Sequence, residues 1–156
     1  MKVTTILNEK MILPDLQGTT KLEVINELVD LLKGDERVDD LEELRRAVLD
    51  REKIMSTGVG KGFAIPHAKT DAVNDMIAAF GKTTKFVEYE ALDEQPVHLV
   101  FLLVGKENYV APHIKLLSRI SRMMNKEEFR EDLLAAKNAE EIYNIFYKEE
   151  EKYLEI

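Results

Sequence analysis

The sequence predicts a layered α/β domain built on a mixed sheet, and three observations carry that reading. Helical patterns fill the N-terminal part of the chain, short apolar runs bounded by turn residues fill the middle, and helical patterns return at the end. Helices, then strands, then helices imply a layered α/β domain with a mixed sheet. No repeat, low-complexity tract or Pro/Ser linker divides the chain, so residues 1–156 are expected to form one domain.

The elements follow in order. Thr20-Lys21-Leu22-Glu23 is a capping box, in which the Thr20 hydroxyl and the Glu23 carboxylate satisfy backbone donors at a helix start. Leu22, Ile25, Leu28, Val29 and Leu32 then recur at helical spacing, and Gly34 stops the helix. A second helix begins at Asp39 or Asp40, with Leu41, Leu44, Val48 and Arg51 on one stripe. Val97 to Val104 reads as a strand buried on both faces and Met76 to Phe80 as a shorter apolar run. Phe63 to Ile65, Phe86 to Tyr89 and Met11 to Leu13 are further strand candidates. Three helices close the chain. The first starts near Ala111 and carries His113, Leu116, Leu117, Ile120 and Met124 on one side. The second begins at the capping sequence Asn125-Lys126-Glu127-Glu128 and carries Phe129, Leu133 and Leu134; the third follows Asn138-Ala139-Glu140-Glu141, with Ile142, Ile145 and Phe146.

Composition narrows the function. The chain has no cysteine, which removes disulfides, thiol nucleophiles and thiolate metal sites. No apolar run approaches the ~20 residues that cross a bilayer, and the N-terminus lacks a signal-peptide pattern, so a cytoplasmic protein without membrane insertion is expected. The formal net charge of −8 argues against nucleic acid as a partner. Against that acidic background, Arg51, Lys53, Lys61 and Lys69 crowd one stretch that contains Glu52 as its only acid before Lys69. Such a segment suits a small anion; the bland reading is a solvated face.

Inside that stretch lies STGVGKGFAIPHAKT, residues 56–70. It is not a P-loop, because Met55 stands where the first glycine is needed and Gly62 where a Ser or Thr must follow Lys61. It is not a dinucleotide fingerprint, because Phe63 occupies the sixth position after Gly58 and Gly60. What remains is a loop of small residues between a helix and a strand expected to end at His67. Glycine lets backbone N–H groups approach a ligand closely, which makes Thr57, Gly58, Gly60 and Gly62 candidates for a phosphate-binding backbone loop. Pro66 stiffens the approach to His67. The alternative is a plain surface turn with an exposed histidine. Arg51 on an apolar stripe needs an anionic partner. His113 lies in the first turn of its helix, where anions are favoured. Together the three favour phosphate chemistry. A zinc site from His67 and His113 with Asp71 or Asp75 is the competing constellation, but no histidine pair at helical spacing supports it and Arg51 would repel a cation. His98, between Val97 and Leu99, is given no role.

The seventeen residues from Arg51 to His67 closely resemble the signature of the fructose/mannitol-type (type 2) enzyme IIA components of the bacterial phosphoenolpyruvate-dependent sugar phosphotransferase system, a signature shared by the nitrogen-regulatory IIA proteins. His113 to Ser121 resembles the second histidine segment of that family and Val97 to Val104 its central strand, and the resemblance runs from about Leu7 to Phe146. It departs at Met55, where a smaller residue is common, and at Phe63, where an aliphatic one is. The resemblance implies a three-layer α/β/α sandwich and a freestanding IIA. It implies His67 as phosphoacceptor, Arg51 as the essential arginine and His113 as the second active-site histidine, with no metal or organic cofactor.

On the same basis the partners are phospho-HPr as donor and the IIB domain of a sugar permease as acceptor. The alternative is a nitrogen-regulatory role, in which phosphorylation state controls regulated proteins. The wording Ala64-Ile65-Pro66-His67-Ala68-Lys69 is closer to the fructose type.

Overall fold

The computed structural model describes residues 1–154. Along the chain run α1 (Val3–Ile6), a 3₁₀ turn (Glu9–Met11), β1 (Ile12–Leu13), α2 (Lys21–Leu31), α3 (Leu41–Ile54), β2 (Phe63–Ala64), β3 (His67–Lys69), β4 (Ile77–Lys82), β5 (Leu99–Gly105), α4 (Val110–Met124), α5 (Glu127–Ala135) and α6 (Ala139–Leu154).

The sheet is mixed. β4 and β5 are antiparallel, with Phe80 opposite Phe101, while β1 runs parallel to β4 and both β2 and β3 run parallel to β5. Phe63 pairs with Leu99 and His67 with Leu103, so β2 and β3 keep one register and form a single edge strand broken at Ile65-Pro66. Pro66 has no N–H to give, but its carbonyl still accepts from the Leu103 amide at 3.0 Å. β5 is the middle of the sheet, and all seven of its residues are buried, as its unbroken apolar run predicts.

Two helical layers sandwich it. Phe146 of α6 packs edge-on against Phe80 at 5.0 Å and lies 5.7 Å from Phe101, with Phe129 of α5 at 5.3 Å completing the cluster. α4 packs with α5 and α6; α2 and α3 pair with each other and cover β4, β5 and β3. The result is the α/β/α sandwich that the resemblance implies.

Local chemistry sets the boundaries. Asp40 caps α3 by accepting from the Glu43 amide, and the Asn138 side chain accepts from the Glu141 amide at the start of α6. Thr20 caps α2 through the Glu23 amide at 3.3 Å, but Glu23 reaches back to the Thr19 amide, so the box is one residue wider than the sequence suggests. Three expectations need correction, and one helix has no counterpart among them. Leu22 is 56% exposed, and Val24 joins Ile25, Leu28 and Val29 on the buried face. Phe86 to Tyr89 makes only an isolated bridge, Thr20 to Glu88, because Val87 and Tyr89 are held by side-chain burial rather than by a ladder. Asn125 does not cap α5; it ends α4, and its side chain accepts from Lys61 Nζ at 3.1 Å. α1 has no signal in the sequence, since no side chain caps it and its Val3 and Thr4 amides donate to Glu150 in α6, far along the chain.

Candidate active site

The edge strand, the end of α3 and the start of α4 meet at the carboxyl end of the parallel pair β3/β5, the place where open α/β sheets leave a crevice. A cleft of about 560 Å³ opens there, lined by Arg51, His67, Lys69, Glu107 and His113, with Ile114 and Leu117 as its apolar wall.

His67 opens β3 rather than ending a strand. Ile65 and Pro66 interrupt the pairing just before it, so the residue is fixed from its C-terminal side by the ladder and from its N-terminal side by Pro66. Its Nδ1 lies 2.7 Å from the Ile65 carbonyl oxygen. A carbonyl can only accept, so Nδ1 carries the proton and Nε2 carries the lone pair. Burial holds the His67 pKa below its ordinary value, against the bond to Ile65, and the Arg51 charge pushes it the same way as burial. At neutral pH the ring is therefore uncharged, with its free lone pair on one defined nitrogen, Nε2.

His113 faces it from α4, with ring centroids 5.7 Å apart. Only 3% of His113 is exposed, and its Nδ1 has no hydrogen-bond partner among the described residues. Gly105 leaves it this room: a Cβ there would stand 3.1 Å from Nδ1 and would strike the Met76 sulfur. Burial, reinforced by the Lys69 cation and, at acid pH, by protonation of His67, lowers the His113 pKa to about 4, so this ring too is neutral at physiological pH.

Arg51 sits in the last turn of α3, half-buried, as its place on the stripe predicts. One guanidinium nitrogen donates to the Met55 carbonyl at 3.1 Å, and Arg51 forms no ion pair among the described residues. The expected anionic partner is thus not supplied from within, and most of the fork is left for one from outside.

The glycine loop is placed differently from the three. Thr57, Gly58, Gly60 and Gly62 are not among the residues that line the cleft. The Gly58 carbonyl accepts from Leu92, and the Gly62 carbonyl accepts from His98 and Leu99. Gly60 and Gly62 have φ of 145° and 78°, and Lys61 between them has 61°, so the loop's glycines serve a tight turn onto the 87–98 segment. Asp71 and Asp75 also lie outside the cleft lining. His98 donates its amide to Gly62 at 2.8 Å and stands away from the site.

Two residues that the sequence reading names only as part of the charged stretch matter here. Lys69 adds a second cation beside the histidines, two positions along the strand and therefore on the same face as His67. Glu52, next to Arg51, is 4% exposed and turned inward, where it accepts from the Thr57 amide at 2.8 Å and the Thr57 hydroxyl at 2.6 Å. Its signal was present in the sequence: a lone acid in a basic stretch.

An uncharged histidine with a defined free nitrogen, beside unneutralised cations, is suited to a phosphoryl group, and comparison with known proteins agrees in kind. Residues 5–149 match the family described as "Phosphoenolpyruvate-dependent sugar phosphotransferase system, EIIA 2". The chain belongs to this EIIA family. It is 39% identical over 145 residues to the fructose-specific EIIABC component of Bacillus subtilis, covering 93% of this chain and 23% of that longer protein. It is 34% identical to the fructose-specific EIIA component of Haloferax volcanii, covering 92% of this chain and 93% of the relative. It is 33% identical to a nitrogen regulatory protein of Bradyrhizobium diazoefficiens, covering 93% and 94%. Among solved structures, the nitrogen regulatory protein IIA-Ntr of Neisseria meningitidis superposes with a TM-score of 0.86 at 31% identity, covering 92% of this chain and 98% of that one. The Escherichia coli mannitol IIA shares the fold at a TM-score of 0.75 and 22% identity, covering 89% and 97%. As an EIIA, the chain falls among the phosphocarriers of the phosphotransferase system, with relatives in both sugar-specific and nitrogen-regulatory branches. No helix among its described residues is long and apolar enough to cross a membrane.

Proposed function

We propose that this chain accepts a phosphoryl group from phospho-HPr on His67 and passes it to a IIB component during phosphoenolpyruvate-dependent sugar uptake, and that it does so in the cytoplasm. The observation that carries this reading is the His67 ring itself: Nδ1 held by the Ile65 carbonyl at 2.7 Å, leaving Nε2 as the only nucleophilic nitrogen, beside an Arg51 that has no ion pair among the described residues. Support for a IIB acceptor comes from a protein of the same fold, the Escherichia coli mannitol IIA, which has been solved in complex with phosphorylated IIB.

In this reading the Nε2 lone pair attacks phosphorus in line. As the N–P bond forms, the donor's bond to phosphorus breaks and the donor leaves with that electron pair. Nδ1 keeps its proton throughout, and the Ile65 carbonyl meets the positive charge that develops on the ring. Phosphoryl transfer is mainly positioning and charge stabilisation. The Arg51 fork faces two of the equatorial oxygens, and Lys69 supplies a further cation. His113, neutral and with Nδ1 buried without a partner, carries its proton on Nε2 and donates it to the third oxygen, because a buried N–H is costlier to leave unpaired than a lone pair. The glycine loop lies outside the cleft lining and is given no step in this reading.

The test is incubation with phosphoenolpyruvate, enzyme I and HPr. One acid-labile phosphate per chain is expected, and His67→Ala should lose it entirely while keeping its fold. Full labelling of that variant would end the reading. The regulatory alternative rests on the nitrogen regulatory relatives at 33% identity and the IIA-Ntr structure. Both readings share the first half-reaction. They part at the second, where a sugar carrier labels a IIB domain and a regulator instead binds its target in only one phosphorylation state.

A further inference from the structure

A carboxylate that is 4% exposed is an expensive thing to keep in a protein interior unless its oxygens are fully used. Those of Glu52 are used in one direction only. Oε2 accepts from the Thr57 amide at 2.8 Å, and Oε1 accepts from the Thr57 hydroxyl at 2.6 Å and from the Tyr89 hydroxyl at 3.3 Å. Lys21 Nζ stands 3.6 Å from Oε2 and 5.5 Å from the Tyr89 ring centroid, balancing the charge from behind. The cluster therefore grips Thr57 by both its amide and its hydroxyl.

What Thr57 holds in turn is the phosphoacceptor strand. Its carbonyl accepts from the Ile65 amide at 3.3 Å, and the Ile65 carbonyl accepts from His67 Nδ1 at 2.7 Å. An unbroken line of hydrogen bonds thus runs from the Glu52 carboxylate through Thr57 and Ile65 to the ring of His67. Its last bond decides which nitrogen bears the proton. Ile65 precedes Pro66 at the point where the edge strand leaves its ladder, so the sheet supplies no bond from the Ile65 amide and the line through Thr57 supplies it instead.

We propose that Glu52 is a positioning residue for His67: by clamping Thr57 it fixes the Ile65 carbonyl, and that carbonyl fixes the tautomer and the orientation of the His67 ring. This rests on the phosphocarrier reading for its purpose but not for its measurement. A ring free to exchange tautomers spends part of its time with the proton on Nε2, where it cannot attack phosphorus. Hydrogen bonding networks of this kind act as units, because each member orients the next. Glu52→Met should fill the space while removing both acceptors. Glu52→Gln should keep one acceptor and the shape, and so should restore most of what Met loses.

The experiment is ring nitrogen NMR of His67 in the whole protein at pH 7, alongside phosphate transfer and thermal unfolding. The native protein should show one tautomer, protonated on Nδ1. Glu52→Met should show a mixture and transfer roughly 10-fold more slowly, the loss expected for about one hydrogen bond to a charged group. Glu52→Gln should lie between. If Met fails to fold, Thr57→Val, which keeps the amide and loses only the hydroxyl, carries the same comparison. An unchanged tautomer in the folded variants overturns the proposal, even if transfer or stability falls, because Glu52 would then be a structural clamp only. If the native protein takes no phosphate at all, the phosphocarrier reading fails, and the tautomer comparison still decides the role of Glu52.

Discussion

Two depressions flank the last turns of α3, and they use charge in opposite ways. The larger, about 750 Å³, is bordered by Lys21, Glu52, Lys53 and Glu90; the smaller, about 560 Å³, holds Arg51, His67 and His113. In the larger, the buried acid is satisfied from within, by Thr57, Tyr89 and Lys21. In the smaller, Arg51 and Lys69 form no ion pair among the described residues, and His113 keeps a buried nitrogen without a partner. Adjacent residues, Arg51 and Glu52, divide the two sides between them. The lesson is that the volume of a cavity says little about chemistry. Unneutralised polar groups in a folded protein mark the place where the missing charge arrives from outside.

The contrast can be broken most severely at Arg51. Arg51→Lys keeps a cation but loses the planar fork, and hydrogen bonds to charged groups are worth about 1.5–3 kcal/mol each, so transfer from HPr should slow roughly 10- to 100-fold. Thermal unfolding should barely change, since the lysine stem still covers apolar surface. A lysine variant with native rates would show that a point charge suffices, and one that unfolds would make Arg51 a structural residue.

A smaller effect is expected at His113. His113→Ala should still accept phosphate on His67 but pass it on about 10-fold more slowly, the loss of one hydrogen bond to a charged oxygen. The same residue gives a pH signature. Its pKa is about 4 in the folded chain and about 6.5 when unperturbed, so the unfolded chain binds the proton first as pH falls. Its contribution to stability is full above about 6.5 and is lost progressively down to about 4. His113→Gln should flatten that part of a stability-versus-pH curve; an unaltered slope would mean the ring is solvated in the folded state.

The least effect belongs to the larger depression. Leu22, exposed on its border, can become Gln with transfer rates unchanged and stability within about 0.5 kcal/mol. A clear loss of transfer there would mean that the larger depression takes part in the donor or acceptor contact.

The sequence made much of this legible where local chemistry decides structure. Asp40 and Asn138 cap their helices as their positions suggest, and the unbroken apolar run of β5 predicts its burial. Arg51 and His113 were readable because each interrupts an apolar stripe. Where partners are distant, the signal fails. α1 is held by Glu150 from the far end of the chain, and nothing near Val3 announces it. β3 offers only Ala68 as a fully buried residue, too little for periodicity to register, so His67 was expected to end a strand that it in fact begins. The three loop glycines suggested a phosphate cradle because glycine permits close approach; in the structure the positive φ of Gly60 and Gly62, and the Gly58 and Gly62 carbonyls that accept from Leu92 and His98, shape a turn against the 87–98 segment, outside the cleft lining. Glu52 could not be assigned a direction from sequence, because the same helical turn carries Arg51 to one side and Glu52 to the other.

The central claim is that His67 takes the phosphoryl group through Nε2, because the Ile65 carbonyl occupies Nδ1. The most direct measurement is NMR of the phosphorylated protein with the ring nitrogens labelled, read for coupling to phosphorus. The account predicts a single phosphohistidine at His67, with phosphorus on Nε2 and the proton still on Nδ1. Phosphorus on Nδ1 of His67, or on either nitrogen of His113, would contradict it.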